Sequence, residues 1–370
     1  MSEAPADPAQ PRARHDLAAP SAHTPARDNP CAQTADTHCR NGGHVGTKAR
    51  TRRHRGRSYA DGVSLIAYLG PKGTFTEQAA RGLPEFDHTT RLVPMDGVLA
   101  AIEATRSGRS DAACVPVENS VEGSVTTTLD ALADADAEPL VAVRETVLPV
   151  RFSVLARPGT TRRQVRTVAT HPHAAAQVRG WLDANLPEAT VITAYSTAAA
   201  AVAVCDGEAD AAVTAPVAAT HYPLAELATD VADLPDAVTR FLLLRRPGPV
   251  PARTGADRTS LVAVTADRTG ALQEVLAEFA LRGINLSRIE SRPTKGRLGE
   301  YQFFLDCDGH VTDARVGDAL AALHRRCTRV RFLGSYPRAD NRPATPAPGN
   351  TDRDFAAAAS WLAGLVAGRS

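Results

Sequence analysis

The sequence predicts an α/β chain built from a duplicated two-lobed domain with an interlobe cleft, followed by a smaller βαββαβ domain. Three observations carry this. From residue 64 the pattern runs strand, helix, strand, helix, strand, and the same order returns about a hundred residues later. Its landmarks repeat in register: Gly108-x-x-Asp111-Ala-Ala and Gly207-x-x-Asp210-Ala-Ala lie 99 residues apart. Residues 259–336 then read β-α-β-β-α-β, a ferredoxin-like order.

Residues 1–62 precede these elements. Residues 1–60 carry ten Lys and Arg against five Asp and Glu, in a stretch rich in Pro, Ala, Thr and Arg without apolar periodicity. Such a composition predicts a disordered basic tail. Cys31, His38, Cys39 and His44 match no standard zinc spacing, so no metal is expected. Arg52-Arg53 looks like a twin-arginine pair, but the apolar run behind it is short and broken by Tyr68 and Gly70.

The two-lobed domain is placed at residues 63–247. Its first strand covers 64–69 and ends in the tight turn Gly70-Pro71-Lys72-Gly73. Thr74 and Glu77 read as a capping box for the next helix. A strand at 91–93 follows, then a helix capped by Asp96 and stopped near Gly108. The third strand, 111–117, leads into Glu118-Asn119-Ser120. In open α/β sheets ligands sit at the carboxyl ends of strands, so an acid, an amide and a hydroxyl there mark a candidate site. Taken alone, Asn119 or Ser120 would only cap a following helix.

The second lobe repeats the plan. A strand covers 165–169, and Thr170-His171-Pro172-His173 opens a helix with Pro172 in its first turn. A strand at 190–194, a helix at 198–205 capped by Ser196 or Thr197, and a strand at 210–215 complete it. The counterpart of the first-lobe run, Ala215-Pro216-Val217-Ala218-Ala219, keeps the proline but lacks Glu, Asn and Ser. A residue set present in one copy only points to a site rather than to a cap. Two long β runs, 140–155 and 240–244, should connect the lobes and flank the cleft, which places Thr239 and Arg240 at its edge.

In the last domain Gly270 opens a helix with Leu272, Val275, Leu276 and Phe279 on one stripe. Strands at 284–291 and 299–306, a helix at 313–326 and a strand at 328–333 follow. Residues 337–370 read as a linker and a short helix whose stripe of Phe355, Trp361, Leu362, Leu365 and Val366 should dock on the body or on a neighbouring subunit.

Composition narrows the function. A net charge of +1 over 370 residues makes no electrostatic case for nucleic acid. No apolar run approaches the ~18 residues of a membrane span. The six cysteines fit no disulfide framework; Cys114, Cys205, Cys307 and Cys327 read as buried thiols, and a cytoplasmic protein is expected. The predicted cleft collects Thr74, Glu118, Asn119, Ser120, Thr170, His171, Gln177, Thr239 and Arg240. Helix starts at Thr74, Asn119 and Thr170 would offer anion sites, and Arg240 bidentate carboxylate binding. There is no Cys-His pair, carboxylate dyad, Walker loop or GxGxxG. The set suits a small organic acid with more than one carboxylate, and chemistry driven by orientation and charge stabilisation without a cofactor.

Tyr68-Leu69-Gly70-Pro71-Lys72-Gly73-Thr74-Phe75, the Val115 to Val125 run, Thr170-His171-Pro172 and Thr239-Arg240-Phe241 together resemble the prephenate dehydratase family over about residues 64–336. The resemblance implies decarboxylative dehydration of prephenate to phenylpyruvate. It implies Thr239 as the leading catalytic residue, donating to the departing C4 hydroxyl. Asn119, Thr170 and Gln177 would orient substrate, Glu118 would be a proton source or a cap, and Thr74, Ser120, Arg240 and Phe241 would bind substrate. Departures are Thr170 where Ser is usual, His173 where Gln is common, and Ala237 in place of an Asn. Gly270-Ala271-Leu272, Asn285-Leu286 and Glu290-Ser291-Arg292-Pro293 resemble a phenylalanine-sensing ACT domain, placed at 258–336. That resemblance implies phenylalanine as effector, bound between ACT domains of a homo-oligomer, a dimer or tetramer. Two other readings stay open: an arogenate dehydratase, and a non-catalytic two-lobed small-acid binding protein of the periplasmic-binding-protein type.

Overall fold

The computed structural model describes residues 64–294 and 300–368; the basic tail and its Cys and His residues lie outside them. Lobe one opens with β1 (Leu65–Leu69), α1 (Phe75–Arg81), β2 (Arg91–Met95), α2 (Val98–Arg106) and β3 (Ala112–Asn119). A short return strand β4 (Gly123–Ser124) and α3 (Thr126–Ala133) follow, and β5 (Val141–Pro149) leads out of the lobe. Lobe two contains β6 (Ser153–Ala156), β7 (Thr167–Thr170), α4 (Pro172–Gln177), α5 (Arg179–Asn185), β8 (Thr190–Thr193), α6 (Thr197–Cys205), β9 (Ala211–Thr214) and β10 (Ala225–Ala228). The chain returns to lobe one through β11 (Val238–Arg245).

The duplication is visible in the sheets. Lobe one orders its strands β2-β1-β3-β11-β5, and lobe two β8-β7-β9-β6-β10. In both, the first three strands are parallel and the last two antiparallel. The repeated Asp has one job in each copy. Asp111 Oδ2 accepts from the amides of Ser64 and Leu65 at 3.1 and 3.0 Å, and Asp210 Oδ2 from those of Arg166 and Thr167 at 2.9 Å each. Each carboxylate thus tethers the start of the lobe's first strand to the start of its third.

The two connections between lobes pair with each other, Val150 N–H donating to Ala237 O at 2.7 Å and Val231 N–H to Phe152 O at 3.1 Å. Phe75 of lobe one and Phe152 of the connection meet edge to face at 5.3 Å.

The last domain is β12 (Asp257–Val264), α7 (Ala271–Ala280), β13 (Leu286–Pro293), β14 (Tyr301–Asp308), α8 (Ala314–Arg326) and β15 (Arg329–Pro337), with strand order β15-β12-β14-β13. One face of this sheet, through Leu261, Phe303 and Leu305, packs on α7 and α8 with Val275, Phe279 and Leu323. The other face, through Val262, Phe304, Leu333 and Tyr336, enters the core of lobe one beside Leu129, Leu132 and Leu242. β15 also pairs with β5 at Gly334 and Ala142, so the two domains share one ten-stranded sheet.

Several expectations are corrected. β3 runs on through Glu118 and Asn119, and the chain then turns back as a hairpin, so no helix starts at Asn119. Gly97, without a side-chain bond, holds the cap position expected for Asp96. Thr74 accepts from Glu77 N–H, but Glu77 reaches back one residue further, to Gly73 N–H. Cys205 is exposed, while Cys114 and Cys307 are buried and their thiols pushed up to about 12 by burial. The terminal helix α9 (Asp352–Val366) is tied down through Asp352, which accepts from Arg253 and Ala314. Its Trp361, Leu362, Leu365 and Val366 remain exposed and do not dock on the body. Among the described residues no helix is long and apolar enough to cross a membrane.

Candidate active site

A cavity of about 460 Å³ lies between the lobes. Lobe one supplies Thr74, Phe75, Pro116, Asn119 and the run Glu122 to Thr127; lobe two supplies His171, His173, Gln177, Ser196 and Thr197; β11 supplies Thr239 and Phe241. Five of the described helices begin at this wall. α1 starts after Thr74, α2 at Val98, α3 at Thr126, α4 after His171 and α6 after Ser196. Their positive ends converge from both lobes, and α3 has no side-chain cap, which leaves its first amides available to an anion. Among the described residues no Lys or Arg lines the cavity, and a dianion there would meet helix ends, hydroxyls and amides.

The central contact is Asn119 Nδ2 donating to Thr239 Oγ1 at 2.8 Å. Its direction is fixed locally. Asn119 Oδ1 accepts from the amides of Val121 and Glu122 at 2.8 and 2.9 Å, so the NH2 group must face Thr239. Thr239 therefore accepts from Asn119 and keeps its own proton for whatever occupies the cavity. The two residues are direct cross-strand neighbours between β3 and β11. A bulge follows, Phe241 pairing with Pro116, so both these residues share the cavity face with Thr239 and Asn119.

Gln177 is buried on the facing wall. Its Nε2 lies 3.4 Å from Glu122 Oε1, and its Oε1 has no hydrogen-bond partner among the described residues. Among the described residues Glu122 is the one carboxylate lining the cavity. Burial and the neighbouring His173 push the His171 imidazole below its usual range, which favours a neutral ring at neutral pH.

Other expected site residues lie elsewhere. Thr170 is fully buried behind the wall, its hydroxyl donating to Val213 O at 2.9 Å. Ser120 accepts from Val238 N–H at 3.0 Å. Glu118 and Arg240 occupy the opposite face of the sheet, because neighbours along a strand point to opposite sides. Arg240 is buried against the C-terminal domain, donating to Glu145 at 2.8 Å, Asp306 at 2.6 Å and Tyr336 at 2.8 Å. Burial opposes both charges, but their mutual attraction outweighs it, holding the Asp306 carboxyl below its usual range and Arg240 well above. Arg240 thus has no donor set facing the cavity. Sequence reading missed Glu122, Ser124, Thr126 and Thr127, although they stand in and just beyond the run that carried Asn119.

The expected effector residues divide between faces. Gly270 holds a left-handed φ of 83° at the start of α7, Ala271 is buried, and Leu272 and Leu286 pack into the core of the C-terminal domain. Asn285 donates to Asp308 at 2.8 Å. On β13, the edge strand of the sheet, Glu290 and Arg292 turn toward lobe one, whereas Ser291 and Pro293 are exposed.

Residues 66–249 match the prephenate dehydratase family, and residues 259–325 the ACT domain family. A prephenate dehydratase of Amycolatopsis methanolica is 59% identical over 83% of this chain and 99% of its own. One of Mycolicibacterium vanbaalenii is 51% identical over 82% of this chain and 99% of its own. The crystal structure of prephenate dehydratase from Arthrobacter aurescens, in complex with L-Phe, covers 82% of this chain and 99% of its own, with a TM-score of 0.77 and 48% identity.

Proposed function

The chain belongs to the prephenate dehydratase family, with an ACT domain at its C-terminal side, and from that premise we propose that it converts prephenate to phenylpyruvate, carbon dioxide and water under control of phenylalanine. The observation that supports this most is the Asn119–Thr239 pair at 2.8 Å in the wall of an interlobe cavity ringed by five helix starts. Prephenate carries two carboxylates and a leaving hydroxyl. In the reaction the bond to the ring carboxylate breaks, its electron pair makes the ring aromatic, and the C4–O bond breaks. The departing oxygen leaves as water once it has a proton.

In this reading the helix starts hold the carboxylates. Thr239 points its free proton at the C4 oxygen and stabilises the charge that grows there. Asn119 positions Thr239, Gln177 uses its unpaired Oε1 to hold a substrate donor, and Phe241 walls the ring. Glu122, the acid that faces the cavity, takes the proton-source role first considered for Glu118. Thr170 acts from behind, fixing β7 to β9 ahead of α4. Nothing in this scheme calls for a cofactor.

Regulation fits the same premise. The relative from Arthrobacter aurescens binds L-Phe, and this chain has the ACT domain and an exposed edge strand, β13. We place phenylalanine between ACT domains of a homo-oligomer in the cytoplasm. The test is direct: purified protein incubated with prephenate should yield phenylpyruvate, and phenylalanine should lower the rate. Failure to produce phenylpyruvate would overturn the catalytic reading.

A further inference from the structure

β13 presents alternate residues to two sides. Ser291 and Pro293 are exposed, whereas Glu290 reaches across the domain boundary to the hairpin that carries Asn119. Ser124 Oγ donates to Glu290 Oε2 and accepts from Arg288 Nη2 at 2.8 Å, and Arg288 also donates to Glu290 at 2.6 Å. Ser124 lines the cavity, and its neighbour Gly123 pairs directly with Asn119. A second contact runs beside the first. Arg240, between the cavity residues Thr239 and Phe241, is held by Asp306 of the ACT domain at 2.6 Å. Glu118 lies between them, 3.7 Å from Arg240 and 3.8 Å from Arg288.

We propose that Glu290 is not an effector ligand but the positioning residue through which the ACT domain acts on the active site, by its grip on Ser124. A shift of β13 when effector settles on its other side moves the Glu290 carboxylate. Ser124 and the β3–β4 hairpin follow, and the Asn119–Thr239 pair loses its alignment. Allosteric coupling of this kind spans roughly 5–150-fold in affinity, which one charge-assisted contact between domains is strong enough to carry.

This rests on the regulatory reading above, and the experiment separates the two. Full-length wild type, Glu290→Ala, Ser124→Ala and the double variant are compared by calorimetric titration with phenylalanine and by phenylpyruvate production at saturating phenylalanine. Glu290→Ala should bind phenylalanine within about threefold of wild type, while its inhibition weakens by at least about fivefold. Ser124→Ala, which removes only the hydroxyl, should weaken inhibition equally relative to its own uninhibited rate. The double variant should go no further than either single one. Loss of phenylalanine binding in Glu290→Ala would make Glu290 a ligand and overturn the proposal. Full inhibition in both single variants would also overturn it. A wild type that neither binds nor responds to phenylalanine would sink the regulatory reading itself, and this proposal with it.

Discussion

At the scale of the residue, the site turns on which way one amide points. Two backbone N–H groups hold Asn119 Oδ1, so Nδ2 faces Thr239 and leaves the threonine proton free. Thr239→Ala removes that proton and should lower kcat by ~10²–10³-fold with KM little changed. Near-wild-type turnover of prephenate by this variant would exclude Thr239 as the donor. Asn119→Asp is the sharper test. It keeps the shape and the two backbone contacts, but it turns an oxygen toward Thr239, which would then spend its proton on the carboxylate. Its kcat should fall at least as far as that of Asn119→Ala, and the two measured side by side decide it. That Thr239 and Asn119 stand in the cavity wall was legible in the sequence, from the lone copy of Glu-Asn-Ser and the Thr-Arg-Phe triplet. Arg240 and Glu118 face away from the cleft for a reason the sequence also holds, since residues adjacent on a strand point to opposite sides of the sheet. The bulge that seats Pro116 under Asn119 was not legible, because it depends on the partner strand.

At the scale of the element, the duplication was readable from spacing alone, but its physical reason was not. Asp111 and Asp210 looked like markers before β3 and β9; they are tethers that accept the first amides of β1 and the start of β7. The strand pairing that joins the two sheets was invisible to pattern reading, because it passes through a single glycine. Gly334 has φ 138°, and a Cβ built on it would stand 2.2 Å from Ala142 O, so only a hydrogen lets β15 approach β5. Gly334→Ala should therefore push the sheets apart and cost about 1–3 kcal/mol or more, as overpacking does. Urea unfolding of the variant measures the loss, and a midpoint equal to wild type would show that the joint tolerates a methyl group. The exposed stripe on α9 marks the opposite limit. Its periodicity announced a buried face, and the body of this chain leaves that face uncovered.

At the scale of the whole molecule, the second copy of the Pro-containing run explains what duplication left behind. Where lobe one has Glu-Asn-Ser, lobe two has a 3₁₀ turn, Pro216–Thr220, that carries His221 and Tyr222 onto α1. His221 Nε2 meets Glu77 at 2.9 Å, and Tyr222 donates to Lys72 O at 2.8 Å, so one copy lines the site while the other ties the lobes together. Gly73, at φ 90°, lies close enough to Ala218 that a Cβ there would be only 3.1 Å from its Cα. Burial raises the Glu77 carboxyl, but the Gly73 amide, Arg81 and His221 together outweigh it and hold it below its ordinary 4.5. A depressed carboxyl contributes stability that is present above the unfolded value and is lost as pH falls through the folded one. Wild type should therefore melt above Glu77→Gln at pH 7, and the gap should close as pH drops from about 4.5 through the lowered value. Other depressed carboxyls, Asp210 among them, titrate in both proteins and cancel in the difference. Melting temperatures from pH 7 to pH 3 test this. Parallel curves would mean that Glu77 adds nothing to the hold between the lobes, which would then rest on Tyr222 and Lys72, the Phe75–Phe152 contact and the two paired connections.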